Sequence, residues 1–218
     1  MEICNIYRNG AWDKVMAAKI FDDMLLKGIR SGQVPARTQA ARDWYRNQSK
    51  MVKKSDVQEM KLIRQMGSDR YESRFRIGHM YMFAYNPKHK DTLPYYDRFP
   101  LIFPINKAKG GFLGINFHYL PLQLRAKLMD ALYDVASNDK FDETTKLRSS
   151  YSILSGASKY KEFAPTIKHY LTKHLVTKPA YIHPTEWDVA LFLPTESFVG
   201  ANKTKVWQDS RKIIRGSR

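Results

Sequence analysis

Three apolar runs between residues 79 and 120 constrain the fold most, because each has the composition of a β-strand. They are HMYMFAY at residues 79–85, LIFPI at 101–105 and GFLGINFHYL at 111–120. Residues 106–110 have the composition of a hairpin connection between the last two runs. Pro104 has no backbone N–H to donate, which predicts a sheet edge or a bulge in the second run. The centre of the chain is therefore predicted to be a small antiparallel sheet.

Helical periodicity dominates residues 11–76. A first helix is predicted to end near Gly32 and Pro35, and a second to begin near Ala36. Residues 55–58 (SDVQ) have the pattern of a capping box, which predicts that the second helix stops there and another starts. The predicted apolar faces contain Val15, Ile20, Phe21, Met24, Leu25 and Ile29 in the first helix, and Ala41, Trp44, Tyr45, Gln48 and Val52 in the second.

Helices and strands are mixed after residue 121. Leu124, Leu128 and Leu132 predict an amphipathic helix, and two more helical stretches are predicted near residues 143–154 and 165–175. Residues 189–193 (VALFL) follow a turn and predict a buried strand that closes the sheet, which favours a barrel. The predicted fold class is α+β, with N-terminal helices, a central small antiparallel sheet or SH3-like barrel, and C-terminal helices with a closing strand. The predicted divisions are a basic helical region at 1–76, a core domain at 77–200 and a basic tail at 201–218.

The charge of the chain points to its class of partner. Lys and Arg number 37 against 21 Asp and Glu, which gives a formal net charge of +16. Nucleic acid is the commonest partner of such a surface, because each phosphate contact releases counterions. An anionic membrane surface is the rival partner, and an idle solvated surface is the remaining alternative.

The same sequence indicates where the protein works. We expect no signal peptide, because the first residues lack a basic segment followed by an apolar run, and no run is long enough for a membrane span. Cys4 is the single cysteine, so no intramolecular disulfide can form. The predicted location is the cytoplasm, or a particle assembled there.

No motif of a common enzyme or cofactor site is present. Gly110, Gly111 and Gly114 lack the lysine and the strand–loop–helix order of a phosphate-binding loop. Asp130 and Asp134 could share a divalent ion, but an exposed helix face explains them more simply. A Ser–His–Asp arrangement stays open, although no nucleophile elbow is present. We therefore expect no metal, no cofactor and no catalytic residue.

Cations at helical spacing form the candidate binding site. Arg42, Arg46 and Lys50 advance by four residues and are predicted to project from one helix face, where a neighbouring polyanion would relieve their mutual repulsion. A solvated helix face is the alternative, and the basic tail is either a phosphate-tracking arm or a frayed end. No base-reading motif is present, so recognition should depend on backbone and shape. The candidate residues are Arg42, Arg46, Lys50, Lys53, Lys54, Arg70, Arg74, Arg76, Lys203, Lys205, Arg211 and Lys212.

Several aromatic strings resemble those of the DNA end protector proteins of T4-type tailed bacteriophages. The resemblance extends from about Arg42 to Trp207, and most of its strings have the character of tight turns and a packed sheet. The strings are RNQSKM at residues 46–51, MYMFAYNPKHK at 80–90, LPYYDRFPL at 93–101, GFLGINFHYLP at 111–121 and EWDVALFLP at 186–194.

This resemblance implies a non-catalytic virion protein that is added when a filled head is completed. Such a protein would bind the ends of packaged duplex DNA and shield them from host exonuclease after injection. Its expected locations are the virion and the host cytoplasm, and its expected partners are DNA ends and phage head or neck proteins, with no membrane. A neck or baseplate adaptor without DNA-end binding is the alternative function, and a nuclease is the third.

Overall fold

The computed structural model describes residues 20–35, 38–136, 140–161 and 163–216, which form helices around an antiparallel sheet. The predicted α+β class is confirmed. The helices are α1 (Ile20–Arg30), α2 (Gln39–Met51), α3 (Glu59–Gln65), α4 (Leu122–Ala136), α5 (Glu143–Ala157), α6 (Trp187–Phe192) and α7 (Lys203–Gly216). The strands are β1 (Met80–Met82), β2 (Tyr96–Asp97), β3 (Leu101–Ala108), β4 (Gly111–Asn116), β5 (Ile167–Leu171), β6 (Ala180–Ile182) and β7 (Phe198–Val199).

The main sheet is open, with strand order β5-β4-β3-β1-β6 and antiparallel pairing between all neighbours. The small-sheet alternative is therefore confirmed and the barrel alternative is wrong. The predicted closing strand at residues 189–193 falls on the end of α6, where every residue is buried, and on its C-cap Leu193. A short apolar run that is buried on all sides carries no periodicity, so the sequence did not distinguish a strand from a helix. The remaining strands, β2 and β7, form a separate two-stranded sheet.

The hairpin of β3 and β4 is the centre of the sheet. Ala108 pairs with Gly111, and Gly110 adopts a φ of 74°, which glycine tolerates without a Cβ penalty. Pro104 lies in a central strand, so the edge alternative is wrong, but the register shifts between Pro104 and Asn106, which confirms the bulge.

Both faces of the sheet are covered. Met80 and Met82 point into the larger apolar cluster, which also contains Phe21, Tyr45 and Ile63 of the N-terminal helices. Tyr81 and Phe83 alternate with them and belong to an aromatic cluster on the opposite face. Coverage on both sides explains why β3 begins as a continuous apolar run. The division at residue 76 remains a prediction, although residues from both sides of it share the larger cluster.

Three further local predictions are corrected. Residues 165–175 are not helical, because they contain β5 between 3₁₀ turns at Ala164–Thr166 and Thr172–His174. Residues 54–56 form a 3₁₀ turn without a side-chain cap, and α3 begins at Glu59 with no cap from Gln58, so the capping box is wrong although a new helix does start. The predicted tail is the docked helix α7. Cys4, Val15 and the predicted helix start at Ala36 lie outside the described residues.

Candidate nucleic-acid interface

Arg42 and Arg46 are buried, so the prediction that they project from an exposed face does not hold. Arg46 is 3% exposed, and its Nε and Nη2 each lie 2.6 Å from a carboxylate oxygen, of Asp188 and Asp130 respectively. Arg42 lies 3.7 Å from Asp130 and 3.8 Å from Asp134. Both arginines therefore connect α2 to its helical neighbours and are not available to phosphate.

The local cause is the packing of α2 between other helices. Its buried arc contains Ala41, Arg42, Tyr45, Arg46 and Ser49, which is wider than its apolar residues alone predict. Burial opposes the charge of Arg46, but the carboxylates of Asp130 and Asp188 raise its pKa above the ordinary value. The sequence did contain a signal for this pairing, since the spacing of Asp130 and Asp134 matches that of Arg42 and Arg46.

The end of α2 carries cations that remain at the surface. Lys50 is exposed, with its Nζ 5.0 Å from the centre of the Phe192 ring. Lys53 is exposed, whereas Lys54 binds Glu59 and the backbone oxygen of Glu196, the latter at 3.0 Å. Lys53 is therefore accessible to an anion in solution, as is Lys50, whose Nζ also lies 3.4 Å from Asn47 Oδ1, and Lys54 is partly engaged.

The arginines that follow α3 divide into two groups. Arg70 is half-buried and pairs with the buried carboxylate of Glu186, which holds the chain against the start of α6. Arg74 and Arg76 are exposed in a segment whose Phe75 packs on Phe83 over the aromatic cluster. Arg74 and Arg76 therefore lie in the segment before β1, and not with the exposed lysines at the end of α2 or the cations of α7.

Helix α7 is docked by three residues of one face. Val206 is fully buried, the Trp207 indole donates to the His118 oxygen at 2.8 Å, and the Ser210 hydroxyl donates to the Tyr119 oxygen at 3.0 Å. The frayed-end alternative is therefore wrong. Exposed cations of this helix are Lys203, Lys205, Arg211, Lys212 and Arg215, and Lys205 also contacts Asp209 at 2.8 Å.

A chain of contacts joins the end of α2 to the start of α7. Lys54 binds the backbone of Glu196, whose carboxylate lies 2.6 Å from the Arg125 guanidinium. Arg125 is fully buried and stacks 5.6 Å from the Trp207 ring, against which Lys203 also lies. Burial alone would raise the pKa of Glu196, but Arg125 and His118 bring it to about 2. The two basic segments are thus carried on one connected scaffold.

His118 belongs to a sealed polar cluster. Its Nδ1 lies 2.7 Å from Asp97 Oδ2, and its Nε2 lies 3.0 Å from Thr195 Oγ1. These distances match those of a nucleophile–base–acid arrangement. However, the side chains of His118 and Asp97 are at most 1% exposed and Thr195 is fully buried. His118 is therefore a buried core histidine in which both ring nitrogens have partners.

Sequence reasoning missed a cleft of about 520 Å³ beside α7. Tyr95 and Tyr119 line it, together with Lys168 of β5. Tyr119 is also the residue whose backbone accepts the hydrogen bond from Ser210 of α7. Its lining comes from segments about 70 residues apart in sequence, so no local pattern marks it.

The fold and these surfaces define a basic α+β protein that presents its cations from packed helices. In the part of the chain that the structure describes, no group of three or more His, Cys, Asp or Glu residues could hold a metal ion, and no helix is long and apolar enough to cross a membrane. Residues 36–213 match the family model of the phage T4 terminal DNA protecting protein. The chain therefore belongs to this phage family, which confirms the resemblance and a role in DNA end protection. No curated protein and no solved structure gives a significant match.

Proposed function

We propose that this protein binds the two ends of a linear duplex in the virion and blocks host exonucleases from them, without cutting DNA itself. The observation that carries this proposal is the set of exposed cations on the docked helix α7, in a chain that belongs to the family of the terminal DNA protecting protein. Because the protein would bring its own folded body to the DNA end, a nuclease would meet protein where it needs a free terminus.

The proposed phosphate contacts are the candidate cations that remain exposed. They lie at and just after the end of α2, on α7 and in the segment after α3, namely Lys50, Lys53, Lys54, Arg74, Arg76, Lys203, Lys205, Arg211 and Lys212. Arg215 joins them as an exposed residue of α7. Arg42, Arg46 and Arg70 act in the fold instead, since carboxylates already hold their guanidinium groups.

Two observations support a role without catalysis. The Thr195–His118–Asp97 arrangement is sealed from solvent, so a phosphodiester could not reach the hydroxyl group. Metal-dependent nucleases need converging acidic ligands, and the described residues contain no such group. The cations then serve to hold DNA through its backbone.

Exonuclease protection tests the proposal. A linear duplex and a nicked circular duplex are each digested by an exonuclease that starts from ends and from nicks, with and without the protein. We expect protection of the linear duplex at protein amounts that leave the nicked circle sensitive. Equal protection of the linear and the nicked circular duplex would show that the protein covers DNA along its length and does not bind its ends selectively. Absence of DNA binding at moderate salt would favour a structural adaptor in the virion, and loss of DNA with Mg²⁺ and protein alone would indicate a nuclease.

A further inference from the structure

The cleft beside α7 combines aromatic walls with a basic rim. Tyr95 and Tyr96 are half-buried at its side, whereas Tyr119 and Tyr170 are buried at its back. Further residues that line it include Lys88, His89, Leu93 and His169 near the surface. Its volume of about 520 Å³ lies within the range of small-molecule sites.

Lys168 is the distinctive residue of the cleft. Its Nζ lies 4.1 Å from the centre of the Tyr119 ring, as in a cation–π contact. Among the residues that the structure describes, its ammonium group has no carboxylate and no hydrogen-bond acceptor, and burial lowers its pKa to about 8. A half-buried cation without an anion costs free energy, which a bound anion would recover.

The one acidic residue that lines the cleft cannot serve as that anion. Asp97 accepts hydrogen bonds from the backbone N–H of Phe99 and from the Asn116 amide, and it pairs with the His118 ring. It is also 4% exposed. The cleft therefore presents a net positive charge to whatever enters it.

Rings and an unpaired ammonium group in one cleft match the chemistry of a nucleotide. A base is planar and stacks on tyrosine rings, and a phosphate is the anion that the ammonium group needs. A simple acidic peptide would satisfy Lys168 but would leave the aromatic walls without a flat partner. A lone base would fill the walls but would leave the cation unpaired.

The position of the cleft relates it to the duplex surface. The Tyr119 backbone receives the hydrogen bond from Ser210 of α7, and the Tyr95 ring packs 6.4 Å from Phe198, shortly before α7 begins. The helix that carries the proposed duplex contacts therefore rests on Tyr119, one of the residues that line the cleft. A duplex that ends along α7 would bring its last nucleotide to this opening.

We propose that the cleft holds the terminal nucleotide of a DNA strand, with its phosphate on Lys168 and its base against the tyrosines. The inference rests on the proposed end-binding function, because a DNA end is the source of the nucleotide. The recognition itself depends only on the cleft, so a free nucleoside monophosphate is a valid probe for it.

Calorimetric titration with thymidine 5′-monophosphate is the direct test. We expect saturable binding to the wild-type protein and to the control Lys173→Met, which removes an exposed lysine from the neighbouring turn. We expect at least a tenfold weaker affinity in Lys168→Met, whose unchanged or higher Tm would show that the fold is intact. Tyr95→Ala should weaken binding independently of the charge. Equal affinity in wild type and Lys168→Met, or no binding by wild type, would overturn the inference.

A parallel measurement separates this inference from the proposed function. The affinities of wild type and Lys168→Met are compared for linear duplex with and without 5′ phosphates and for a circular duplex. A loss of preference for linear over circular DNA in Lys168→Met supports the cleft. A preference that Lys168→Met retains in full refutes the cleft and leaves end protection standing. Nucleotide binding that needs Lys168, without any preference for linear DNA in wild type, refutes end binding and leaves a nucleotide site.

Discussion

Arg46 connects three helices, because its guanidinium group is shared between Asp130 on α4 and Asp188 on α6. Such a buried pair adds little net stability over an apolar replacement of the whole group, but breaking it leaves a charge without compensation. Burial raises the pKa of Asp188 to about 6 even with Arg46 beside it, which shows how costly this carboxylate is. Arg46 therefore links α2 to both α4 and α6 through ion pairs.

Substitutions at Arg46 and at Lys50, which lie four residues apart on α2, should separate internal ion pairing from DNA binding. We expect Arg46→Met to lower the free energy of unfolding by about 3–5 kcal/mol, because Asp130 and Asp188 lose their partner. Lys50→Met should change it by less than about 0.5 kcal/mol and should weaken DNA binding instead. Urea unfolding and a gel shift measure the two effects. Adding Asp188→Asn to Arg46→Met should recover part of the stability, and equal losses in both single variants would contradict this assignment.

Lys168 gives the nucleotide cleft a specific pH dependence. An anion prefers the charged amine, so affinity for thymidine monophosphate should fall by up to about tenfold per pH unit above pH 8. Burial raises the pKa of Tyr95 and of Tyr119 above the ordinary value, so these rings stay neutral there. Lys88, His89 and His169 also face the cleft, Asp97 lines it with a buried side chain, and the profile of Lys168→Met, which keeps all four, serves as the baseline for them. Parallel profiles in the two proteins would contradict the prediction.

The lowered pKa of Lys168 should also affect how the free energy of unfolding of the ligand-free protein depends on pH. Its pKa is lowered from 10.5 to about 8 on folding, so the unfolded chain binds more protons between these values. Lys168 therefore destabilises the fold below pH 8, and this penalty disappears as the pH rises to 10.5. The stability advantage expected for Lys168→Met should shrink over that window, as measured by urea unfolding.

At the scale of elements, α7 depends on a small docking face. Trp207→Ala removes both the hydrogen bond to His118 and the ring beneath Arg125. We expect a loss of about 3 kcal/mol, together with faster tryptic cleavage within α7 and weaker DNA binding. Trp207→Phe keeps an aromatic ring beneath Arg125 but loses the hydrogen bond to His118, and it should retain most of the docking. Unchanged cleavage in Trp207→Ala would mean that Val206 and Ser210 suffice to hold the helix.

The elements also show what the sequence could predict. The strands β1, β3 and β4 and the helix α4 were predicted because local pattern and burial agree in them. Helix α2 was predicted from its apolar face alone, although its buried arc also contains Arg42 and Arg46. The run at residues 189–193 was misassigned, since a fully buried segment shows no period. Arg42 and Arg46 were placed at the surface because their partners lie far along the chain, 142 residues away for Asp188. The cleft is likewise assembled from distant segments.

At the scale of the whole molecule, the excess charge is partly neutralised inside and left free outside. Arg46, Arg70 and Arg125 are each matched by a carboxylate, so the excess of cations among the described residues falls disproportionately on exposed side chains. A polyanion can therefore approach without breaking the internal pairs. This distribution lets one fold combine buried ion pairs with a cationic surface.

The salt dependence of binding should report the number of phosphates held by α7. Each phosphate contact contributes about −0.9 to the slope of log Kobs against log salt concentration on duplex DNA. Arg211→Gln with Lys212→Gln should therefore make the slope shallower by about 2. The matched pair Lys127→Gln with Arg148→Gln removes the same charge from exposed positions on α4 and α5 and should leave it nearly unchanged. Because α7 is proposed to track the backbone, the shallower slope should appear on linear and circular DNA alike. Equal slopes for both double variants would show that charge acts at a distance and that α7 does not contact the duplex.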